Sequence, residues 1–166
     1  MQSQTFPAYQ HSGKFGALGP ALICVTAIVA GYPLGFAYAY IIKWMPFVYI
    51  NFLLTAGCGI LFGFLAAALL KFGKVRNTPV AVLCGLLMGM GALYFSWSAH
   101  LHATFTDAPA LCTPDQILAG MKTLYERGSW ALLRGGQVTG IPLAIIWAGE
   151  ALIIVGVAVW GPYKFI

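Results

Sequence analysis

Apolar residues gather in four long runs along the chain, at residues 20–42, 46–70, 79–101 and 142–160. Each run is close to the roughly 20 residues that cross about 30 Å of hydrocarbon as an α-helix. Every run also opens with a proline, which suits the first turn of a helix because its missing N–H would be unpaired there. The pattern therefore predicts four transmembrane helices.

Composition supports this prediction. Hydrophobic residues make up 60% of the 166 residues and charged residues 8%, whereas soluble domains have about 45–50% and about 25%. A soluble globule of this size has too much surface to hide so many apolar side chains. The expected fold class is an all-α integral membrane protein. It is a four-transmembrane-helix bundle that forms a single transmembrane domain over residues 1–166.

The connection between the third and fourth runs carries a different pattern. Thr113 and Gln116 are spaced as a capping box, with proline between them at the first helical position. Apolar side chains then fall on one helical face, and Gly128 is a plausible C-cap. We predict a short amphipathic extramembrane helix over residues 114–127.

The net charge of +5 is distributed around the apolar runs and forms no basic stripe. This favours a lipid bilayer as partner and argues against nucleic acid. The densest positive charge lies at residues 71–77, which the positive-inside rule places in the cytoplasm together with both termini. Three cations on the opposite side weaken the bias: Lys122, Arg127 and Arg134.

Glu150 lies near the middle of the fourth run. A carboxylate at that depth costs on the order of 3 kcal/mol, so the group should face protein or water and be protonated. The preferred interpretation is an interhelical hydrogen bond, for which Tyr32 and Thr55 lie at a suitable depth. The alternative is a site that handles protons or cations.

Two histidines form an HxH pattern near the end of the third run. His100 and His102 are weak candidates for metal ligands, because residues two apart on a helix point in nearly opposite directions. They also lie above the level expected for Glu150. Cysteines show neither CxxC nor zinc spacing, and Cys112 alone lies in a polar connection. We predict no metal and no cofactor.

Small residues are expected to bring the helices together. A proline at position 33 predicts a kink in the first helix, and a kink of this kind is found at some transporter sites. Three small-xxx-small pairs predict close helix contacts: Gly31/Gly35, Gly59/Gly63 and Gly85/Gly89.

Four stretches of sequence carry a resemblance to known proteins. They are YAY at residues 38–40, PFVYINFLL at 46–54, GKVRN at 73–77 and WAGEALIIVG at 147–156. The chain resembles an uncharacterised family of small bacterial four-helix inner-membrane proteins. This resemblance implies location in a bacterial inner membrane and supplies no catalytic or ligand residues.

The leading functional hypothesis is a non-enzymatic membrane subunit that packs with itself, as a homo-oligomer, or with other membrane subunits. The alternative is a small transporter or channel that uses Glu150 and the kinked first helix. A membrane enzyme ranks third, because the sequence shows no Walker, Rossmann or HExxH motif and no assembled nucleophile.

Overall fold

The structure is a computed structural model that describes residues 16–45, 48–129 and 136–165. Within these ranges the chain forms six α-helices and no strand, so the all-α prediction is confirmed. The helices are α1 Leu18–Val29, α2 Gly31–Trp44, α3 Val48–Phe72, α4 Thr78–Thr104, α5 Pro114–Arg127 and α6 Gly140–Phe165. Several predicted features lie outside the described residues: Lys14, Pro46 and Arg134.

Three of the helices, α3, α4 and α6, are long and apolar enough to cross a membrane. The pair α1 and α2 passes the same test only when both are taken together, and the two helices meet at an angle of 41°. The described chain thus contains three candidate spans, or four if the bent pair crosses as one.

The first apolar run is broken at Ala30, between α1 and α2. Proline has no N–H to donate to the carbonyl four residues earlier, and its ring clashes with that carbonyl. For Pro33 this carbonyl belongs to Val29, the last residue of α1. The predicted kink is present, and its centre lies one turn before the proline for this reason.

The start of α4 corrects a detail of the helix prediction. Thr78 was expected to precede the helix, but it is the first helical residue, and Asn77 is the N-cap. The Asn77 Oδ1 accepts a hydrogen bond from the Val80 N–H at 3.1 Å, which satisfies one of the unpaired donors of the first turn.

The amphipathic helix α5 has the predicted bounds and the predicted ends. The Thr113 N–H donates to Gln116 Oε1 at 2.8 Å, and the Gln116 N–H donates to Thr113 Oγ1 at 3.3 Å. Gly128 ends the helix with a positive φ of 90°. The helix packs on α4 and α6, with Leu124 buried. It lies at the end of the bundle opposite the loop at residues 73–77.

Helix α6 packs along both α3 and α4 through backbone approaches at glycine. A Cβ added to Gly63 would lie 2.6 Å from the Val157 carbonyl oxygen, and one added to Gly85 would lie 2.8 Å from Val159 Cα. Gly59 and Gly89 approach α6 in the same way. On the other side of the bundle, Gly31 and Gly35 lie against Phe95 of α4. All six glycines singled out in the sequence are thus at helix contacts.

Candidate functional site

A small cavity of about 40 Å³ lies between α2, α4 and α6. We call it the inner cavity. Its polar wall comes from three helices, with Tyr38 on α2, Ser96 and His100 on α4, and Glu150 on α6. The remaining lining is apolar or aromatic: Ala39, Ile42, Trp97, Trp147 and Ile154. A few converging polar groups in an otherwise apolar cavity are typical of a ligand site.

Glu150 is the acidic group of the inner cavity. It shares one face of α6 with Trp147 and Ile154, which follow the three- and four-residue spacing of a helix. Its Oε1 atom is buried and has no hydrogen-bond partner in the described part of the chain. A buried polar atom without a partner costs free energy, so this oxygen favours a proton or a ligand that can donate to it.

Tyr38 anchors the opposite wall through a short chain of hydrogen bonds. The Thr55 hydroxyl donates to the Asn51 carbonyl oxygen at 2.7 Å. Thr55 Oγ1 must therefore accept the second hydrogen bond, which the Tyr38 hydroxyl donates, also at 2.7 Å. Thr55 and Asn51 are fully buried. The Tyr38 oxygen keeps its lone pairs, so it presents an acceptor beside the cavity.

The two expected partners of Glu150 lie elsewhere. Tyr32 does not line the inner cavity, and its ring packs on Phe36 and edge-on against Phe95. It follows Gly31 and so falls off the inward face of α2, which Gly31, Gly35, Ala39 and Ile42 form. Thr55 is one hydrogen bond away from the cavity, behind Tyr38.

The two histidines have separate environments. His100 lines the inner cavity together with Glu150. His102 points away, and its Nδ1 is 2.7 Å from the Ala108 carbonyl oxygen. Among the described residues no group of three His, Cys, Asp or Glu side chains is placed to hold a metal ion.

A second cavity of about 320 Å³ lies at the α5 end of the bundle, and we call it the outer cavity. Ile42 and His100 line both cavities. Lys43 lies in the outer wall and donates a hydrogen bond to the Ala103 carbonyl oxygen. The outer wall also includes exposed Thr104 and Gln137.

The opposite end of the inner cavity is closed. Ile154 lines the cavity and also belongs to the core that fills the bundle toward residues 73–77. Beyond it Phe62, Met88 and Ala158 are buried, in the region where the glycines of α3 and α4 approach the α6 backbone. The inner cavity therefore has a neighbouring cavity on the α5 side and tightly packed helices on the other.

The segment after α4 is held against that helix by side-chain hydrogen bonds. Tyr94 donates to the Cys112 carbonyl oxygen at 2.8 Å, and the Cys112 N–H donates to Ser98 Oγ at 2.7 Å. Ser98 in turn donates to the Ala110 carbonyl oxygen. Cys112 consequently lies in the connection after α4, as expected, but is only 2% exposed. The prediction that this polar position leaves its thiol accessible is therefore wrong.

Ser96 and His100 do not form a pair of nucleophile and base. Ser96 lies one turn before His100, but its hydroxyl donates to the Leu93 carbonyl oxygen at 2.9 Å. A nucleophile needs its proton directed to the base. Ser96 is therefore a polar wall residue of the cavity.

No family model, curated protein or solved structure matches this chain. Its function therefore has to follow from the chemistry of the inner cavity. Sequence reasoning identified Glu150 and missed Tyr38 and Ser96. The available signals were the four-residue spacing of Ser96 and His100 and the place of Tyr38 next to the inward face of α2.

Proposed function

We propose that the chain is a multi-pass protein of a bacterial inner membrane, in which α1 and α2 together form one bent span beside α3, α4 and α6. Four spans place α5 and the 73–77 loop on opposite surfaces. The apolar length of the helices supports this arrangement, and the resemblance to bacterial inner-membrane proteins supports the location. The cations Lys71, Lys74 and Arg76 support a cytoplasmic 73–77 loop and cytoplasmic termini.

The function that the inner cavity supports best is uptake and transfer of a proton or a small cation at Glu150. The observation that carries this proposal is the buried Glu150 Oε1, which has no hydrogen-bond partner in the described part of the chain and lines a cavity. An ionisable residue inside a membrane span is a functional-site hypothesis by default, because keeping it there is costly. A purely structural acid would use that oxygen to bond a neighbouring helix.

Transfer across the membrane also needs the closed end of the inner cavity to open. The break at Ala30 supplies a hinge for this, because α1 and α2 pack on different parts of the bundle. Gly19 of α1 lies against Val75 and Gly73 at the closed end, whereas Gly35 of α2 lies against Phe95 near the cavity. A change of angle at Ala30 moves the closed end while α2 keeps its place beside Glu150.

The subunit hypothesis remains the second candidate, and one observation favours it. Gly57 on α3 and Gly156 on α6 have nothing within 4 Å of an added Cβ, so the helix surface at both positions is uncovered. Small residues at such positions let a helix of another membrane protein approach closely. Partners of this class are a second copy of the chain or other membrane subunits.

Flux measurements on the purified protein in liposomes test the transfer function. We expect the protein to dissipate an imposed pH or cation gradient faster than protein-free liposomes do. A hydrophobic carbodiimide, which couples to protonated carboxyl groups, is expected to modify Glu150 and to stop the flux in proportion to the adduct found by mass spectrometry. Flux that survives complete modification of Glu150 contradicts the proposal. Absence of flux together with a stable complex in mild detergent transfers support to the subunit hypothesis.

The orientation is tested by new cysteines on α5, because native Cys112 is buried. Asp115 and Lys122 are exposed, so the variants Asp115→Cys and Lys122→Cys should present reactive thiols. A membrane-impermeant maleimide is expected to label both in intact cells, while the parent chain gives the background of the native cysteines. Labelling that requires an opened inner membrane would reverse the orientation.

A further inference from the structure

We infer that the group taken up at Glu150 is a proton and that it arrives from the α5 end of the bundle by way of His100. This inference rests on the proposed function and names the ligand of the same site. It concerns a positioning residue for proton delivery, His100.

The route follows from the two cavities. Among the described residues, the outer and inner cavities share two lining residues, Ile42 and His100. Ile42 is an apolar side chain from α2, so His100 is the polar group that faces both. Glu150 lies in the inner cavity, and Lys43, Thr104 and Gln137 lie in the outer one. The closed end offers no comparable polar wall, since its described core is apolar.

Imidazole is suited to pass a proton between two aqueous spaces. One ring nitrogen can accept a proton from water while the other donates its proton onward, and the ring returns to the neutral form afterwards. At this site His100 would accept a proton on the outer side and release one toward the Glu150 carboxylate. The O–H bond of the acid forms, the N–H bond of the imidazolium breaks, and no oxidant or reductant is involved.

The polar groups around the route favour a proton over a metal ion. Tyr38 from α2 and Ser96 from α4 line the inner cavity with Glu150, and Lys43 at the end of α2 lies in the outer wall. The positive charge of Lys43 opposes an imidazolium at His100 as much as it opposes a hydrated cation, so it does not separate the two. The separation comes from the ligands: among the described residues no group of three His, Cys, Asp or Glu side chains is placed to hold a metal ion, whereas a single imidazole is enough to relay a proton.

Infrared spectroscopy of the protein in liposomes tests the route without relying on flux. The chain has four Asp and Glu residues, and a difference spectrum against Glu150→Gln isolates the C=O stretch of the protonated Glu150. After a pH jump, His100→Phe is expected to slow the change of this band by roughly 100-fold, the low end of what a positioned proton-transfer group contributes. The matched control His102→Phe is expected to leave the rate unchanged, because His102 lines neither cavity. Equal rates in the parent chain, His100→Phe and His102→Phe would overturn the route.

Flux measurements separate this inference from the proposed function. Flux that depends on Glu150 but not on His100 would refute the inference and leave the proposed function standing, and so would Na⁺ flux that depends on Glu150. Absence of any flux would refute the proposed function, while the infrared rates still test the route.

Discussion

Replacing Glu150 by glutamine is expected to reduce proton flux in liposomes to the protein-free background. Glutamine has nearly the same shape and can donate and accept hydrogen bonds, but it cannot take up or release a proton. The fold should therefore survive. We expect the free energy of unfolding in detergent to change by no more than about 0.6 kcal/mol, the average for an interhelical membrane hydrogen bond, with a correspondingly small shift in melting temperature. Flux and melting temperature are measured on the same preparation.

Two further substitutions make this result specific. Glu150→Asp keeps a titratable carboxyl one methylene further from the cavity, so a reduced but measurable flux is expected. Glu126→Gln removes an exposed acid of α5 and should leave the flux unchanged. Normal flux through Glu150→Gln would show that titration of this residue plays no part, and the hydrogen-bonded subunit would then be the better interpretation.

Adding a single methyl group at Gly63 is expected to destabilise the bundle. The new Cβ of Gly63→Ala would lie 2.6 Å from the Val157 carbonyl oxygen, which is backbone and cannot rotate away. Overpacking of this kind costs about 1–3 kcal/mol, against a gain of up to about 1 kcal/mol in helix propensity from glycine to alanine. Unfolding in mixed micelles by added denaturing detergent measures the difference.

The same helix supplies the control. Gly57 also lies within α3, but nothing lies within 4 Å of an added Cβ there. Gly57→Ala should therefore show the propensity gain alone and stabilise the protein. Opposite signs for the two alanine substitutions are the expected result. If Gly63→Ala proves as stable as Gly57→Ala, the close approach of α3 and α6 is wrong.

Most of the fold could be predicted from sequence because apolar length and proline placement are local signals. Residues 114–127 were predicted with their observed bounds, since the capping box of Thr113 and Gln116 leaves little choice of start. The break at Ala30 was displaced from its predicted centre because proline acts on the carbonyl four residues earlier. Asn77 was missed as N-cap because the helix begins one residue before the proline.

The inner cavity was harder to predict, because it depends on how three helices are rotated about their axes. Glu150 could be found alone, since a charge inside an apolar run is visible without a fold. Its neighbours in the cavity could not be found in this way. Tyr32 was predicted as a partner of Glu150, whereas the tyrosine that lines the cavity is Tyr38. One helix position corresponds to a turn of about 100°, so matching depth without matching face does not identify a contact.

The polar residues of the last turns of α4 alternate in sequence in a way that usually indicates a β-strand. They occupy every second position: Tyr94, Ser96, Ser98, His100 and His102. In the helix this alternation resolves into two interleaved stripes with four-residue spacing. One stripe, at 94, 98 and 102, holds the following segment, and the other, at 96 and 100, faces the inner cavity. In a mutational scan along this helix, substitutions at 94, 98 and 102 should consequently affect how the following segment is held. Substitutions at 96 and 100 should affect proton chemistry.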